Sequence, residues 1–496
     1  MNPAAAKACI SCRDRKRKCD RVTPSCSLCR RLGRRCRYEA KILDRADTTA
    51  LSPTSRVHFP KDIPLSAPPS FDSNAFLKSS VDTAITEKLA LATGALSDVR
   101  SVAAKYFESI HLWFPVLSEH NYYEHLPITF TQPCAEYSLL SLSMALIVSI
   151  PSEKETRETF SSLYMLVKSS IAIVEAANIH SLRVVQSRLL VSLFEVGHAI
   201  EPAAFMSLGT TARAAAAIGL NQALDGYAGT NEETITDSEL ELRIWWGIVM
   251  LDRWYTLERG HGLCATHDLG APQQLPRDGS IWDQKAFSSN KPLPLSTPSS
   301  IRVGPFARQA QVSHVLDILM MHLRDQKLTK TFDADSADQI ARTLTAFSAL
   351  LPEETPQPWP RYCGAIGMCY SAMMILYNSR PKTDLSCEFN RSDAPESLKS
   401  TLARIRIVST KFDEKIQQVD RESISPFPPH GLTKAATTRY RLWSETSDHS
   451  HLEAADSLLT MVRHFSKRWL NAAKLVTQLE EVRSANVPSN CISPTF

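Results

Sequence analysis

The first twenty residues contain no apolar run, so a secretory leader is not expected. Nowhere does the chain reach the ~20 consecutive apolar residues that a membrane helix needs. The longest apolar stretch, Leu139 to Ile150, is bounded by Glu136 and by Pro151-Ser152-Glu153. It reads as a buried core helix, and no membrane partner is expected. Catalytic signatures are missing too: there is no Gly-x-Ser-x-Gly elbow, no phosphate loop and no dinucleotide fingerprint. His261, Cys264, His267 and Asp268 lie close in sequence, but no base-and-orienter arrangement accompanies them elsewhere, which makes an enzyme the weaker reading. Aromatic residues are nearly absent from the first forty-five positions, where Tyr38 stands alone. RNA recognition usually recruits aromatics to stack bases, so this region is not built for it.

What the N-terminus has instead is positive charge and sulfur. Fourteen Lys or Arg fall in residues 1–45 against Asp14, Asp20, Glu39 and Asp44, a balance of +10. With +4 for the whole chain, the remaining 451 residues carry −6. A compact cationic head on a mildly acidic body is the footprint of a polyanion-binding module. At 496 residues, the chain is too long for one ordinary domain, so a small module plus a large one is expected.

Six of the twelve cysteines sit in that head, as Cys9-x2-Cys12-x6-Cys19-x6-Cys26-x2-Cys29-x6-Cys36. The remaining six are scattered, without useful spacing. The x2 and x6 intervals recur in each half, so the head is an internal duplication. Clustered cysteines without a secretory leader point to metal before disulfides. Soft thiolates with no nearby histidine favour zinc, which takes four tetrahedral ligands at ~2.3 Å. Two zincs need eight ligand places, and six thiolates fill eight only if two of them bridge. The first cysteine of each half, Cys9 and Cys26, is equivalently placed between the metals. One zinc then falls to Cys9, Cys12, Cys19 and Cys26, the other to Cys9, Cys26, Cys29 and Cys36. Such sites are closed, hence structural, and in so short a module metal binding and folding become one event.

The run Cys9-Ile-Ser-Cys-Arg-Asp-Arg-Lys-Arg-Lys-Cys-Asp20, followed by Pro24, Cys26 and Cys29, resembles the fungal binuclear zinc cluster transcription factors. The resemblance implies the same bridging, and a turn between the halves at Pro24. Residues Arg13 to Lys18 are good helix formers without Gly or Pro, so a two-turn helix is expected there. In the family this helix enters the major groove of double-stranded DNA and reads a CGG-type triplet. Carried over by position, Arg15 and Lys16 lie nearest the base edges, as suits the O6 and N7 acceptors of guanine. Arg13, Arg17 and Lys18 contact phosphate or the helix flanks, and Arg30, Arg31, Arg34 and Arg35 suit phosphate clamping. The same basic residues can also serve nuclear import. Only Leu43, Ala46 and Ala50 recur at rough heptad spacing before Pro53, too few for a coiled coil. A homodimer is therefore not specified here, and a single triplet or a spaced pair both stand as alternatives.

Residues 46–96 read as a linker, marked by Pro53, Pro60, Pro64, Pro68 and Pro69. From Ser97 to residue 482 the pattern turns helical without competing strand alternation, so the body is expected to be all-α. Ser97-Asp98 is the expected cap of its first helix, and Thr236-Asp-Ser-Glu239 reads as a capping box opening a helix to Tyr255. Further helices are expected at 136–150, 155–178, 182–198, 203–219, 305–328, 336–351, 362–379, 396–419 and 448–482. Three segments, Lys105 to Val116, Ala212 to Asn221 and Arg243 to Arg253, resemble the regulatory middle domain that accompanies the cluster in fungi. The resemblance implies a nuclear regulator working with the transcription machinery or co-regulators. By default it is an activator of one metabolic or secondary-metabolite pathway, with a repressor or ligand-sensing regulator as the alternative. Residues 483–496 read as a disordered tail.

Overall fold

Apolar residues at helical spacing organise nearly everything described after residue 70. The computed structural model describes residues 8–9, 12–13, 16–23, 25–32 and 36, then 71–151, 157–222, 232–279, 293–350, 360–380, 396–415 and 420–486. The chain divides into two compact units, Met1–Pro68 and Pro69–Phe496. Among its described residues the first carries the short helix α1 (Ser27–Arg31) and a helical turn at Cys12 and Arg13. Among the described residues the second has no strand, only an isolated bridge between Gln274 and Pro294. No described helix is long and apolar enough to cross a membrane.

The C-terminal end of the expected linker is helical: α2 spans Phe71–Thr93 and buries Val81, Ile85 and Leu89 at four-residue intervals. The prolines that suggested a tether stop at Pro69, and none recurs before Pro115. Residues 46–70 and the tail after 486 lie outside the described residues. Next comes α3 (Leu96–Glu108), which buries Val99, Ala103, Tyr106 and Phe107, the expected stripe. Its start is two residues early, because Asp98 reaches back to accept the Ala95 N–H at 2.8 Å. An unexpected α4 (Glu119–Thr131) follows, capped by Ser118 and containing Pro127. The apolar stretch forms α5 (Ala135–Val148), buried almost throughout, so it is a core helix as its sequence indicated.

Helices α6 (Arg157–Ala176), α7 (Leu182–Gly197) and α8 (Ala203–Ala217) complete the first half, with α5 packed on α2, α3 and α7. The long α9 (Glu232–Arg259) joins this half to the second by packing on α7, α8 and α10 (Pro305–Thr329). Then come α11 (Ala334–Leu350), α12 (Pro360–Ser379) and α13 (Glu396–Lys415). The chain closes with α14 (Pro428–Thr446), α15 (His449–Ser466) and α16 (Leu470–Ala485). The second half is built around α12 and α14. Their backbones touch: a Cβ at Gly367 would come within 2.6 Å of the Pro428 Cα. The single helix expected over 448–482 is two, because the chain turns at Lys467 to bring Arg468 and Trp469 into the core. Arg468 donates to the carbonyls of Ile147 and Ser149 at the end of α5 and stacks over Trp469, 4.1 Å from its centroid.

The expected capping box is not one. Helix α9 starts at Glu232, and Glu239 lies fully buried within it, accepting from Arg243 Nε at 2.8 Å and from Arg277 Nη1 at 3.2 Å. A carboxylate there satisfies two guanidinium groups, a stronger demand than a helix end makes. The same helix fastens the loop that follows it. Trp246 Nε1 donates to the Gln274 carbonyl at 2.8 Å, and Asp252 accepts both the N–H and the hydroxyl of Thr266. The residues that carried the middle-domain resemblance thus hold together this helix and its loop.

Candidate metal centre and nucleic-acid interface

Each half of the head begins with a turn set by its first cysteine. The Cys9 carbonyl accepts from Cys12 N–H at 3.1 Å and Arg13 N–H at 3.0 Å. In the second half the Cys26 carbonyl accepts from Arg30 at 3.0 Å, while Cys26 Sγ accepts from Cys29 N–H at 3.4 Å. The turn opened by Cys9 closes at Lys16. Lys16 N–H donates to the Arg13 carbonyl, Arg17 N–H to the Cys12 carbonyl, and Lys16 has a left-handed φ of +50°. This pair of bonds is a Schellman ending with Lys16 as its left-handed residue. The two-turn helix expected through Lys18 is therefore corrected to a shorter one, since Arg17 and Lys18 are not helical. The reason is geometric: Cys19 must return to the sulfurs of Cys9 and Cys12, and a helix continued to Lys18 would carry it away from them. Under the seventeen-residue duplication, Lys16 is equivalent to Gly33. That glycine was the available signal for a left-handed position, and helix propensity concealed it.

The two halves are tied by Asp20, whose carboxylate accepts the Ser27 N–H from both oxygens at 3.1 Å. Hydrogen bonds from Ser27 hold this carboxyl below the usual range. Sequence reasoning assigned Asp20 no role.

The six sulfurs converge. Cys9, Cys12, Cys19 and Cys26 form one set whose ligand atoms lie within 4.8 Å of one another, and Cys9, Cys26, Cys29 and Cys36 form a second. Cys9 and Cys26 belong to both, 3.8 Å apart. Two sulfurs at ~2.3 Å on one tetrahedral zinc stand about 3.8 Å apart. The Cys12–Cys26 and Cys9–Cys29 separations, 3.8 and 3.7 Å, match that value within their respective sets. The donor set therefore fits two zinc ions. Among the described residues no histidine or carboxylate joins either set. Cys9, Cys12, Cys26 and Cys29 are buried, Cys19 and Cys36 partly so. Burial pushes the Cys9, Cys12 and Cys26 thiols up, Cys26 to about 12. Thiolates at these positions need a compensating cation, so metal uptake releases protons.

Around this centre the cations divide. Arg17, Lys18, Arg30 and Arg31, from both halves, line one open concavity of about 890 Å³ together with Asp20. Arg13 and Lys16 are exposed but do not line it. Arg15, Arg34 and Arg35 lie outside the described residues.

Residues 7–45 match the fungal Zn(2)-Cys(6) binuclear cluster domain, and residues 103–413 match the fungal specific transcription factor domain. The chain belongs to the fungal zinc cluster transcription factors. It is also similar to "Transcription factor BOA15" of Botryotinia fuckeliana (strain B05.10), 33% identical over 144 residues, which cover 29% of this chain and 79% of that relative. A fungal zinc cluster factor binds two zinc ions and binds DNA through the cluster, and the family is not one of enzymes. In the loop after α9, His261 and His267 are exposed, and burial pushes the Cys264 thiol up to about 12.

Proposed function

We propose that the chain is a nuclear, sequence-specific regulator that binds CGG-type triplets through its zinc cluster and activates genes of one metabolic or secondary-metabolite pathway. Cys9, Cys12, Cys19 and Cys26 hold one zinc, Cys9, Cys26, Cys29 and Cys36 the other. Arg15 and Lys16 face base edges. Arg13, Arg17, Lys18, Arg30, Arg31, Arg34 and Arg35 contact phosphate. The observation that carries this reading is the concavity in which cations from both halves meet beside a closed sulfur centre. Four positive side chains around one concave surface suit a phosphate backbone, and a closed centre leaves zinc no role but holding that surface in shape. Lys16 adds to it, because an exposed lysine in a left-handed position costs about 1 kcal/mol that a glycine avoids. Such a cost is commonly retained at functional sites. Nuclear residence and co-regulator partners rest on the family's general behaviour, and a homodimer would be required only for paired triplets.

The test is selection of random duplex DNA by the zinc-loaded full chain. Enrichment of CGG-type triplets supports the reading, and their spacing reports whether one head or two are bound. Binding with no enriched sequence contradicts it. A reporter carrying the selected site then distinguishes activation from the second reading, repression or ligand sensing, which the cavity described below favours.

A further inference from the structure

The body contains a cavity of about 780 Å³ at the C-terminal ends of α9, α10 and α12, closed on its remaining side by the first turns of α14. Its volume falls within the ~300–1,000 Å³ of small-molecule sites. The lining is segregated. Leu257, Met320, Leu323 and Ile375 give an apolar floor, whereas Arg259, Arg324, Lys327 and Lys434 bring four positive charges. Among the described residues two carboxylates share the lining, and both are engaged: Asp317 pairs with Arg253 at 3.0 Å, and Glu258 accepts from Asn471 at 2.7 Å.

One polar group at the inner wall has no partner. His430 is 5% exposed, its ring edge-on to Trp254, and its Nδ1 is buried without a hydrogen bond. Burial keeps this imidazole neutral, so the inner wall adds no charge of its own. At the mouth, Leu263 and Met321 expose 58% and 48% of their surface, apolar area that an occupant would cover.

The rim cations have a competing explanation, since basic residues in last turns offset the negative end of the helix dipole. Arg259 and Lys327 do stand in the last turns of α9 and α10. That account does not extend to Lys434, in the second turn of α14. It also gives no reason for an apolar floor beneath the charges.

We propose that this cavity binds a small organic acid, its apolar body on Met320, Leu323 and Ile375 and its carboxylate at the cationic rim. The inference deepens the ligand-sensing alternative. It is read out without DNA, so failure of triplet recognition and failure of ligand binding are separate results.

The experiment is calorimetric titration of the zinc-loaded full chain with 2-naphthoate, 2-naphthol and 2-naphthylmethylamine, which share a body and differ in charge. Naphthoate is expected to bind at least tenfold more tightly than naphthol, and the amine more weakly than both. In the double variant Arg324→Glu, Lys327→Glu, at two exposed positions, naphthoate should lose at least tenfold while naphthol is unchanged. Met321→Trp, which fills the mouth, should weaken both. The melting temperature of each variant shows that the body is folded. Equal binding of all three compounds, binding of none at millimolar concentration, or unchanged naphthoate affinity in the double variant would overturn the assignment.

Discussion

The head and the body of this chain reach a defined shape by opposite means. The body buries a large continuous core, with Trp113, Trp245, Trp246, Trp254 and Trp469 all essentially excluded from water. Among the described residues, the buried core of the head is Cys9, Cys12, Cys26 and Cys29, with Cys19, Leu28 and Cys36 against it. Hydrophobic burial can fold the first and cannot fold the second, so the head's structure is the structure of its metal centre. The contrast has a functional side. A module freed from having to bury side chains can turn nearly all of them outward, and most of the exposed described ones here are Arg and Lys.

The comparison can be broken most forcefully at the shared sulfurs. Cys26→Ala removes a ligand from both metals and the cap of α1, and is expected to abolish zinc uptake and DNA binding. The body's unfolding transition, followed by circular dichroism, should stay where it is. A variant that still binds DNA would show that the head has a second source of stability.

The converse change sits in the body. A Cβ at Gly197 would meet the Trp469 ring at 2.3 Å, and that ring is fixed by its Nε1 bond to the Ile424 carbonyl at 2.9 Å. Gly197→Ala is expected to cost about 1–3 kcal/mol by overpacking. Denaturant unfolding should move accordingly, with zinc content untouched. A coupled loss of zinc would mean that the two units are not energetically separate.

A smaller effect separates backbone from side chain within the head. Lys16→Gly suits the left-handed φ and should leave zinc binding at least as strong. It should weaken discrimination of a preferred triplet by roughly 1–3 kcal/mol, the worth of a good base contact. Equal losses on all duplexes in a binding titration would make Lys16 a phosphate contact. The smallest change expected is in salt response: Arg30→Ala should lower the slope of log K against log salt by about 0.9, the share of one neutralised phosphate. An unchanged slope would remove Arg30 from the interface.

Where the sequence was legible, the physics was local or fixed by counting. The x2 and x6 cysteine intervals and the ligand valence of zinc led to the same two sulfur sets the structure contains. The amphipathic stripe of α3 and the buried run of α5 were equally plain. The signals that misled were those overridden by distant contacts. Helix propensity suggested a helix to Lys18, but Cys19 had to come back to the cluster. No helix was expected over 428–446, yet α14 forms there, since proline is welcome at a helix start and Gly431 lies where α14 meets α12. Glu239 has the spacing of a cap, but its partner Arg277 lies thirty-eight residues away. The cavity floor was invisible for the same reason, since Leu257, Met320 and Ile375 come from three different helices.

The account stands on two zincs sharing Cys9 and Cys26, and native mass spectrometry of the full chain beside its Cys26→Ala variant tests that most directly. Two zinc ions in the parent chain and none in the variant are predicted. One zinc retained by the variant, or one zinc in the parent, would contradict the shared centre.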